Sequence, residues 1–391
     1  MEPMENESIE RIPAREGENK PKHAGSGDNR KVLYRRPPKS SKSHRALKIA
    51  GIVLAVILVF IIGFFIFITI TEYKPEERTK VEFASSGTEF EGKMLDIVTL
   101  NAGYAGLGND MDFFMDGGKG VNPESKEKVE ENLKGINDMI DMFDPDICFI
   151  QEIDKDSSRS YHIDQTSQIQ SEYAVRAYAQ NFVCKWIPYP LPMIGSVDSG
   201  IMTLSKYKMA DAERVSLPGS FDWPKSLFLF KRCLLVNRIP IKGSDKQIVL
   251  VNFHLEAYSE NSSKEAQTKV LMNLLDEEYK KGNYVIAGGD FNQTLPGMSK
   301  KLQKIEGDEI WRPGKLKKSM LPSDEWQFAY DSAIPTCRSL DKPFEGLDGH
   351  QLYALDGFVL SPNVKVDFLC AANCNFHYTD HNPVYLRVIL E

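Results

Sequence analysis

Side chains that move protons or bind cations stand at the ends of apolar runs in this sequence. The stretch VIAGGDFNQT (285–294) is an example, since a short apolar run and two glycines precede Asp290 and Asn292. Side chains two positions apart on a strand share a face, which would bring the carboxylate and the carboxamide together. Such a pair is either part of a turn, where Gly, Asp and Asn are common, or half of an oxygen-rich site for a hard cation.

Similar strand ends recur along the chain. Each has an ordinary explanation on its own: Asp356 could begin a turn, and a lone histidine such as His254 is more often a core residue than a catalytic one. If the strands align, however, their ends converge on one rim. That rim would hold Asn101, Glu152, His254, Asp290, Asn292, Asp356, Asp380 and His381.

Carboxylates gathered in this way would repel one another, and a divalent cation would compensate their charge. Oxygen ligands suit Mg²⁺, Mn²⁺ or Ca²⁺ better than zinc. Two histidines beside such a site supply general acid–base chemistry near neutral pH. The residue types therefore predict a divalent-cation site with acid–base groups beside it.

The elements that must position these residues alternate between strands and helices from about residue 93. Apolar residues at helical spacing predict helices over 125–143 and 262–283, and a further helix is proposed over 164–182. Strands are many and helices few. This pattern favours two packed sheets with helices on their outer faces, an α/β sandwich.

Residues 49–70 form an uncharged apolar run of 22 residues. At about 1.5 Å per residue this run spans a hydrocarbon core of roughly 30 Å. A cleaved signal peptide has a shorter apolar run and a small-residue cleavage site, so an uncleaved single-pass anchor is the better interpretation. Residues 31–48 carry seven Lys/Arg and residues 71–90 only three, which predicts a cytoplasmic N-terminus and a C-terminal part on the outer face of the cell membrane.

Four segments follow from this division. They are a disordered basic cytoplasmic tail (1–48), the transmembrane helix (49–70), a linker (71–92) and a catalytic domain (93–391). The tail carries 12 Lys/Arg and 7 Asp/Glu, and the rest of the chain carries 36 and 48, a net charge of −12. A part this acidic lacks the broad basic surface of a tight duplex-DNA binder, although an enzyme that reaches phosphate through a metal ion needs less basic surface.

Six motifs in fixed order, LNAG, QE, NFHLEA, GGDFN, LDGF and TDHNPV, carry a family resemblance. From 93 to 391 the chain resembles the endonuclease/exonuclease/phosphatase superfamily, which includes deoxyribonuclease-, sphingomyelinase- and inositol-phosphatase-like enzymes. The resemblance implies a four-layer α/β sandwich and metal-dependent cleavage of a phosphate ester, in particular a diester. Magnesium is the implied ion, with manganese or calcium as alternatives.

The resemblance also implies a role for each site residue. Glu152 becomes the principal metal ligand, and Asn101 and Asp380 complete or support the metal site. The remaining roles concern the substrate. Asp290 and Asn292 position the attacking water and the phosphate. His381, oriented by Asp356, is the acid–base histidine or the phosphate clamp, and His254 contacts the phosphate or the leaving oxygen.

Arg232, in KRCLL, is a candidate phosphate contact; a solvated arginine at a strand edge is an equally good interpretation. The substrate stays open between nucleic acid, a lipid headgroup and a small phosphoester. A membrane-lipid phosphodiesterase or phosphomonoesterase is the alternative to a nuclease. An inactive surface binding module is a further alternative, against which the complete polar set argues. The sequence does not indicate an oligomeric state.

Overall fold

The computed structural model describes residues 41–84, 86–298, 302, 311–347 and 349–391. The predicted disorder of the tail therefore lies, for residues 1–40, outside the described residues. Within the described chain, short 3₁₀ turns join the main elements. These are α1 (Ser41–Ile70), β1 (Arg78–Lys80), β2 (Met94–Asn101), α2 (Lys126–Asp141), β3 (Ile147–Asp154), α3 (Gln165–Gln168), β4 (Val175–Ile187), β5 (Gly195–Ser205), β6 (Asp211–Ser216), β7 (Cys233–Pro240), β8 (Gln247–His254), α4 (Asn261–Lys280), β9 (Tyr284–Asp290), β10 (Gln293–Thr294), β11 (Gly314–Lys315), β12 (Gln327–Ala329), β13 (Cys337–Arg338), β14 (Leu352–Tyr353), β15 (Asp356–Leu360), β16 (Val364–Ala371) and β17 (Val384–Leu390).

Two large mixed sheets dominate the fold. One has the strand order β1-β6-β7-β8-β9-β15-β12 and the other β16-β17-β2-β3-β5-β4. Only two neighbouring pairs in these sheets are parallel, β2 with β3 and β8 with β9. In both cases a helix makes the crossover that a parallel pair needs. The two crossovers aim the carboxyl ends of all four strands at one rim.

The main core lies between the two sheets. Ile97 and Phe149 of one sheet pack in a single cluster with Leu250 and Ile286 of the other, and all four are fully buried. The outer faces are covered by helices, α2 on the six-stranded sheet and α4 on the seven-stranded sheet. The predicted four-layer α/β sandwich is confirmed.

The helix ends follow local capping rules. Ser125 stands at the N-cap of α2, and its side chain accepts a hydrogen bond from the backbone N–H of Lys128 at 3.2 Å. The apolar residues of α2 recur at intervals of three and four, from Val129 to Ile140, and all face the sheet. This regular spacing explains why the helix was readable from sequence.

The helix proposed over 164–182 is wrong for most of its length. Only Gln165–Gln168 is helical, and β4 begins at Val175 with alternating buried and half-buried side chains. Alanine and glutamine favour helices in isolation, but here Ala177 and Ala179 fill the narrow space between the sheets. Pairing with β5 overrides the local preference.

The N-terminal helix α1 begins eight residues before the apolar run. It is the one helix of the described chain long and apolar enough, over His44–Ile70, to cross a membrane. By internal contacts the chain forms two compact units, Met1–Phe60 and Ile61–Glu391. In the second unit, part of the predicted linker 71–92 is a strand, because β1 pairs antiparallel with β6.

Candidate active site

Three predicted site residues form a row across the seven-stranded sheet. His254 of β8 lies opposite Asp290 of β9, and Asp290 lies opposite Asp356 of β15. The strand ends therefore place one histidine and two carboxylates side by side. Asn292 follows after a turn, in which its backbone N–H donates to Asp290 Oδ1 at 2.7 Å. The GGDFN motif is thus both a turn and part of a polar site.

The glycine before Asp290 is required by the close approach of the neighbouring strand. Gly289 has φ +153°, and a Cβ there would lie 1.9 Å from the carbonyl oxygen of Phe253. We expect Gly289→Ala to destabilise the fold by about 3 kcal/mol or more, because backbone, not a mobile side chain, blocks the methyl group. Urea unfolding of the variant measures this loss. Gly219→Ala, where the added Cβ meets nothing within 4 Å, is the matched control.

The six-stranded sheet supplies two further residues. Asn101 ends β2, and its neighbour in the register on β3 is Gln151. Glu152 follows with φ +50°, at an irregularity where the pairing of β3 with β5 shifts between Ile150 and Ile153. A bulge of this kind turns a side chain away from the regular alternation. It brings Glu152 to the same rim as Asn101.

The loop before β17 completes the set. His381 Nδ1 lies 2.8 Å from Asp356 Oδ2, so this carboxylate orients the imidazole ring. The other ring nitrogen, Nε2, lies 3.8 Å from Asp290 Oδ2 and 3.9 Å from Asp380 Oδ2. Because Asp356 engages Nδ1, Nε2 is the nitrogen turned toward the remaining acids.

One amide links acids of the two sheets. Asn101 Nδ2 donates to Glu152 Oε1 at 3.2 Å and to Asp290 Oδ2 at 3.1 Å. His254 Nε2 lies near the same two carboxylates, 3.6 Å from Asp290 and 3.9 Å from Glu152. The structure therefore brings together all eight residues of the predicted rim. All but Asp356, which lies behind His381, line one cavity of about 400 Å³.

Burial and repulsion by neighbouring acids disfavour the ionised states of Asp290 and Glu152. The pKa of Asp290 rises to about 7, first because the group is buried and then because Asp356 lies beside it. The pKa of Glu152 is also raised, by burial and by the charge of Asp380. A site with such costly negative charge accommodates a cation readily.

The two histidines are driven toward opposite charge states. Burial lowers the pKa of His254 well below its ordinary value, and the charges of Arg232 and His381 act in the same direction. Burial alone would also lower the pKa of His381, but the carboxylates Asp356 and Asp380 help to raise it well above the ordinary value. These opposite shifts favour the neutral form of His254 and the protonated form of His381.

Arg232 is buried, not a solvated strand-edge charge. Its Nη1 donates to the backbone carbonyl of His254 at 3.2 Å, and its Nε lies 3.4 Å from Glu256 Oε2. The guanidinium carbon also stands 4.4 Å from the centre of the Phe230 ring. These contacts hold Arg232 in the wall of the cavity, next to His254.

Comparison with known proteins decides the family. The sequence model of the Endonuclease/Exonuclease/phosphatase family matches residues 99–344. This chain belongs to that family. A search of curated protein sequences finds no match.

Solved structures resemble this chain at low sequence identity. An endonuclease/exonuclease/phosphatase from Beutenbergia cavernae is 16% identical, with 76% of this chain and 72% of that chain covered and a TM-score of 0.55. The human Nocturnin catalytic domain with bound sulfate is 16% identical (80% and 97% covered, TM-score 0.48). Danio rerio TDP2 in complex with a single-strand DNA product is 14% identical (75% and 98%, 0.46).

Enzymes of the endonuclease/exonuclease/phosphatase family generally use divalent metal ions, and this cavity holds acidic and histidine side chains that are candidate ligands. Within the described residues, two triads have ligand atoms within 4.8 Å of one another: Cys337, Asp380 and His381, and Asp290, Asp356 and His381. Neither contains Glu152. The thiol of the first triad is a poor ligand, because burial raises the pKa of Cys337 to about 12. In the second, the His381–Asp356 hydrogen bond already occupies Nδ1.

Metal binding should raise thermal stability more at high pH than at low pH. Between pH 3.8 and about 7 the folded metal-free chain keeps a proton on Asp290 that the unfolded chain has lost, so its stability falls as the pH rises through this window. A cation that binds the ionised carboxylates offsets this loss. We expect the rise in melting temperature on adding Mg²⁺ to be larger at pH 8 than at pH 5.5. An equal rise in melting temperature at pH 5.5 and pH 8 would contradict a metal site at these carboxylates.

Asp116 and Tyr258 are among the polar cavity residues that escaped the sequence analysis. Asp116, in the loop between β2 and α2, has its pKa raised to about 7 by burial and by the charge of Asp380, and both Asp116 and Tyr258 line the cavity. Neither residue ends a strand, so the pattern of strand ends could not find them. The length of the loop around Asp116 was the sole feature of the sequence that could have indicated a role for it in the cavity.

Arg338 lines the cavity, but its guanidinium binds backbone carbonyls. It is 1% exposed, and its Nη2 donates to the backbone carbonyls of Gly108 and Met111 at 2.7 and 2.9 Å. A buried guanidinium that binds several carbonyls ties loops together. Arg338 is therefore neither an ordinary surface arginine nor a free phosphate contact.

Proposed function

We propose that residues 93–391 form a metal-dependent hydrolase that cleaves phosphate ester bonds, in particular diesters, by in-line attack of an activated water. The observation that carries the proposal is the double hydrogen bond of the Asn101 amide, which joins Glu152 of one sheet to Asp290 of the other. Acids held close together repel one another and lower the stability of the fold. Their clustering at this rim therefore favours a site that binds a common substrate or ion.

Glu152 and Asp380, supported by Asn101, are the residues that would hold Mg²⁺, with Mn²⁺ or Ca²⁺ as alternatives. When bound, the ion polarises the phosphoryl group and stabilises the charge that develops on its oxygens. Asn101 Oδ1 already accepts the backbone N–H of Gly103 at 3.0 Å, which fixes the amide plane against the two carboxylates. This fixed amide sets the separation of the acids in advance.

Asp290 is the proposed acceptor of the water proton. Its pKa of about 7 suits a base at neutral pH, and the hydrogen bond from the Asn292 N–H to its Oδ1 holds the carboxylate in place. The side chain of Asn292 is anchored through its Nδ2 to the carbonyl of Leu255 at 2.9 Å. Its remaining oxygen is then available to position the water or the phosphate.

His381 and His254 take different roles because their charges differ. His381, oriented by Asp356 and protonated, donates from Nε2 to a phosphate oxygen or to the leaving oxygen. His254 stays neutral and contributes a hydrogen bond rather than a charge. Arg232 supports His254 through its backbone carbonyl and adds positive charge to the cavity wall.

The proposal includes the location of the enzyme. Residues 49–70 anchor the chain in the cell membrane as a single span, the basic residues 31–48 remain in the cytoplasm, and the catalytic domain lies on the outer face. The apolar helix supports the anchor. The excess of Lys and Arg before it supports the orientation.

Turnover of bis-p-nitrophenyl phosphate by the purified full-length protein tests the function. We expect hydrolysis with Mg²⁺, Mn²⁺ or Ca²⁺, its loss in EDTA and its recovery when the metal is restored. Parallel assays with p-nitrophenyl phosphate separate diester from monoester cleavage. Metal-independent turnover, or none with any of the three ions, would contradict the proposal and favour an inactive binding module.

A further inference from the structure

The wall of the cavity away from the acids is apolar. It is lined by side chains from four separate segments: Phe64, Phe65, Phe114, Ile187, Phe228 and Phe230. Such a wall does not stabilise a phosphate group, but it stabilises the apolar portion of a ligand that carries a long hydrocarbon chain. The cavity therefore has one end suited to a phosphate ester and another suited to hydrocarbon.

Two of these side chains belong to the apolar helix itself. The ring of Phe64 stacks on Phe228, with the centroids 6.2 Å apart and the planes 10° from parallel. Phe65 packs against Trp223 at 5.9 Å, and Trp223 Nε1 donates to Thr69 Oγ1 at 3.4 Å. Phe65 and Thr69 lie one helical turn apart, on the same side of the helix. Phe64 and Phe65 both line the cavity.

The apolar wall continues to the proposed phosphate site. Phe230, two residues after Phe228, has its ring centroid 5.8 Å from that of His254. The same ring lies under the guanidinium of Arg232 and stacks on Phe182 at 4.5 Å. A molecule whose phosphate meets His254 would therefore place its adjoining carbons along Phe230 and Phe228, toward Phe64.

The end of the helix is tied closely to the catalytic domain. Lys231 Nζ donates to Glu72 Oε1 at 2.6 Å, and Ser216 Oγ donates to the carbonyl of Glu76 at 2.7 Å. At about 1.5 Å per residue, Phe64 lies about 9 Å from the helix end at Ile70. In a helix that spans a bilayer, this position is inside the hydrocarbon region. The contacts of Glu72 and Glu76 hold the domain directly against the end of that helix.

Large apolar side chains are also exposed around the cavity. Tyr189, Leu191 and Trp223 are 73%, 77% and 61% exposed. Tyr189 lines the cavity and packs edge-to-face on Phe114, and Trp223 contacts the helix. Exposed aromatic groups at the level of a membrane anchor are typical of the interfacial region of a bilayer.

The cavity is poorly suited to a nucleic acid strand. Three arginines line it, and each already has partners: Arg159 pairs with Asp154 at 2.9 Å, Arg232 with Glu256, and Arg338 with backbone carbonyls. No lysine is found among the described lining residues. A groove for single strands tracks the backbone with a continuous run of free positive charge, and three arginines that already contact acids or carbonyls do not supply one.

We propose that the substrate is a phospholipid diester taken from the membrane that the chain itself spans, with its hydrocarbon portion against Phe64, Phe228 and Phe230. This inference rests on the proposed function. Water forms the new bond to phosphorus, the bond from phosphorus to one of the two alcohol oxygens breaks, and the released alkoxide takes up a proton. The products are a phosphomonoester and an alcohol. One of them keeps the apolar chains.

The test uses the full-length protein in liposomes of phosphatidylcholine and sphingomyelin, mixed with protein-free vesicles of the same lipids in deuterated form. We expect metal-dependent cleavage of unlabelled lipid at least about tenfold faster than of deuterated lipid, because the anchor keeps the local lipid at high effective concentration. Equal cleavage of both pools would overturn the inference, and so would cleavage of single-stranded DNA with no lipid cleavage.

Two variants probe the apolar wall. Phe64→Ser and Phe228→Ser should each lower the ratio of lipid to bis-p-nitrophenyl phosphate turnover by about tenfold, the effect of about 1.4 kcal/mol of lost apolar contact. Phe67→Ser is the matched control, since Phe67 is on the same helix, 46% exposed and outside the cavity lining. An unchanged ratio in both wall variants would overturn the inference.

The small diester separates the two hypotheses. Turnover of bis-p-nitrophenyl phosphate without turnover of either lipid leaves the proposed hydrolase standing and overturns the lipid inference. A phosphatidylcholine with a photoreactive acyl chain adds a readout that needs no catalysis. It should label peptides that contain Phe64 or Phe228, and labelling confined to other surfaces would overturn the inference.

Discussion

Glu152→Gln is expected to lower kcat for bis-p-nitrophenyl phosphate by about 10³-fold or more while the chain still folds. The substitution keeps the shape of the side chain and an oxygen that can accept the hydrogen bond from Asn101 Nδ2, but it removes the negative charge from the proposed principal ligand. Loss of a ligand charge removes several kcal/mol of transition-state stabilisation, and about 1.4 kcal/mol corresponds to each factor of ten.

Stability distinguishes this effect from misfolding. Burial and Asp380 raise the pKa of Glu152, so the ionised carboxylate is costly in the metal-free fold, and the Gln variant should melt at the same temperature or higher. Asp156→Asn is the control, because Asp156 lies just after β3, its side chain is 67% exposed and it does not line the cavity. Near-wild-type kcat in Glu152→Gln would rule out the metal assignment.

Strand ends carried most of the information that the sequence held about the site. His254, Asp290 and Asp356 were readable because each follows or begins an apolar strand, and the sheet register places them in one row. The parallel pairs β2/β3 and β8/β9 send their carboxyl ends to the same rim, so local pattern was enough to predict that side chains distant in sequence meet.

Features that depend on contacts between distant segments were not readable. A bulge in β3, where Glu152 has φ +50°, turns this side chain toward the rim. A glutamate within a strand sequence does not predict such a bulge. Ala177 and Ala179 lie in a strand that their helix propensity contradicts. The stacking of Phe64 on Phe228 joins residues 164 positions apart. The sequence of a uniformly apolar helix does not predict which of its faces will pack against a domain.

His381→Gln is expected to lower kcat by about 10²- to 10⁴-fold, the range in which a positioned acid–base group contributes. Removal of the imidazole takes away a protonated donor whose Nε2 is aimed at the acids by the 2.8 Å contact between Nδ1 and Asp356. His162→Gln is the matched control, because this histidine is 59% exposed and pairs with Asp156 at the surface. Equal losses in both variants would point to a general effect of histidine removal and contradict the assignment.

Asp356→Asn tests whether Asp356 raises the pKa of His381 or only orients its ring. The carboxylate of Asp356 favours the protonated imidazole, so its neutral replacement should lower the pKa of His381. If the protonated form is the active one, activity falls as the pH rises through that pKa, and the alkaline limb of the pH–kcat profile should move to lower pH in the variant. A lower kcat with an unmoved alkaline limb would mean that Asp356 only orients the ring. The acid would then be another group, and His254, held neutral by burial and by Arg232, could supply no charge in its place.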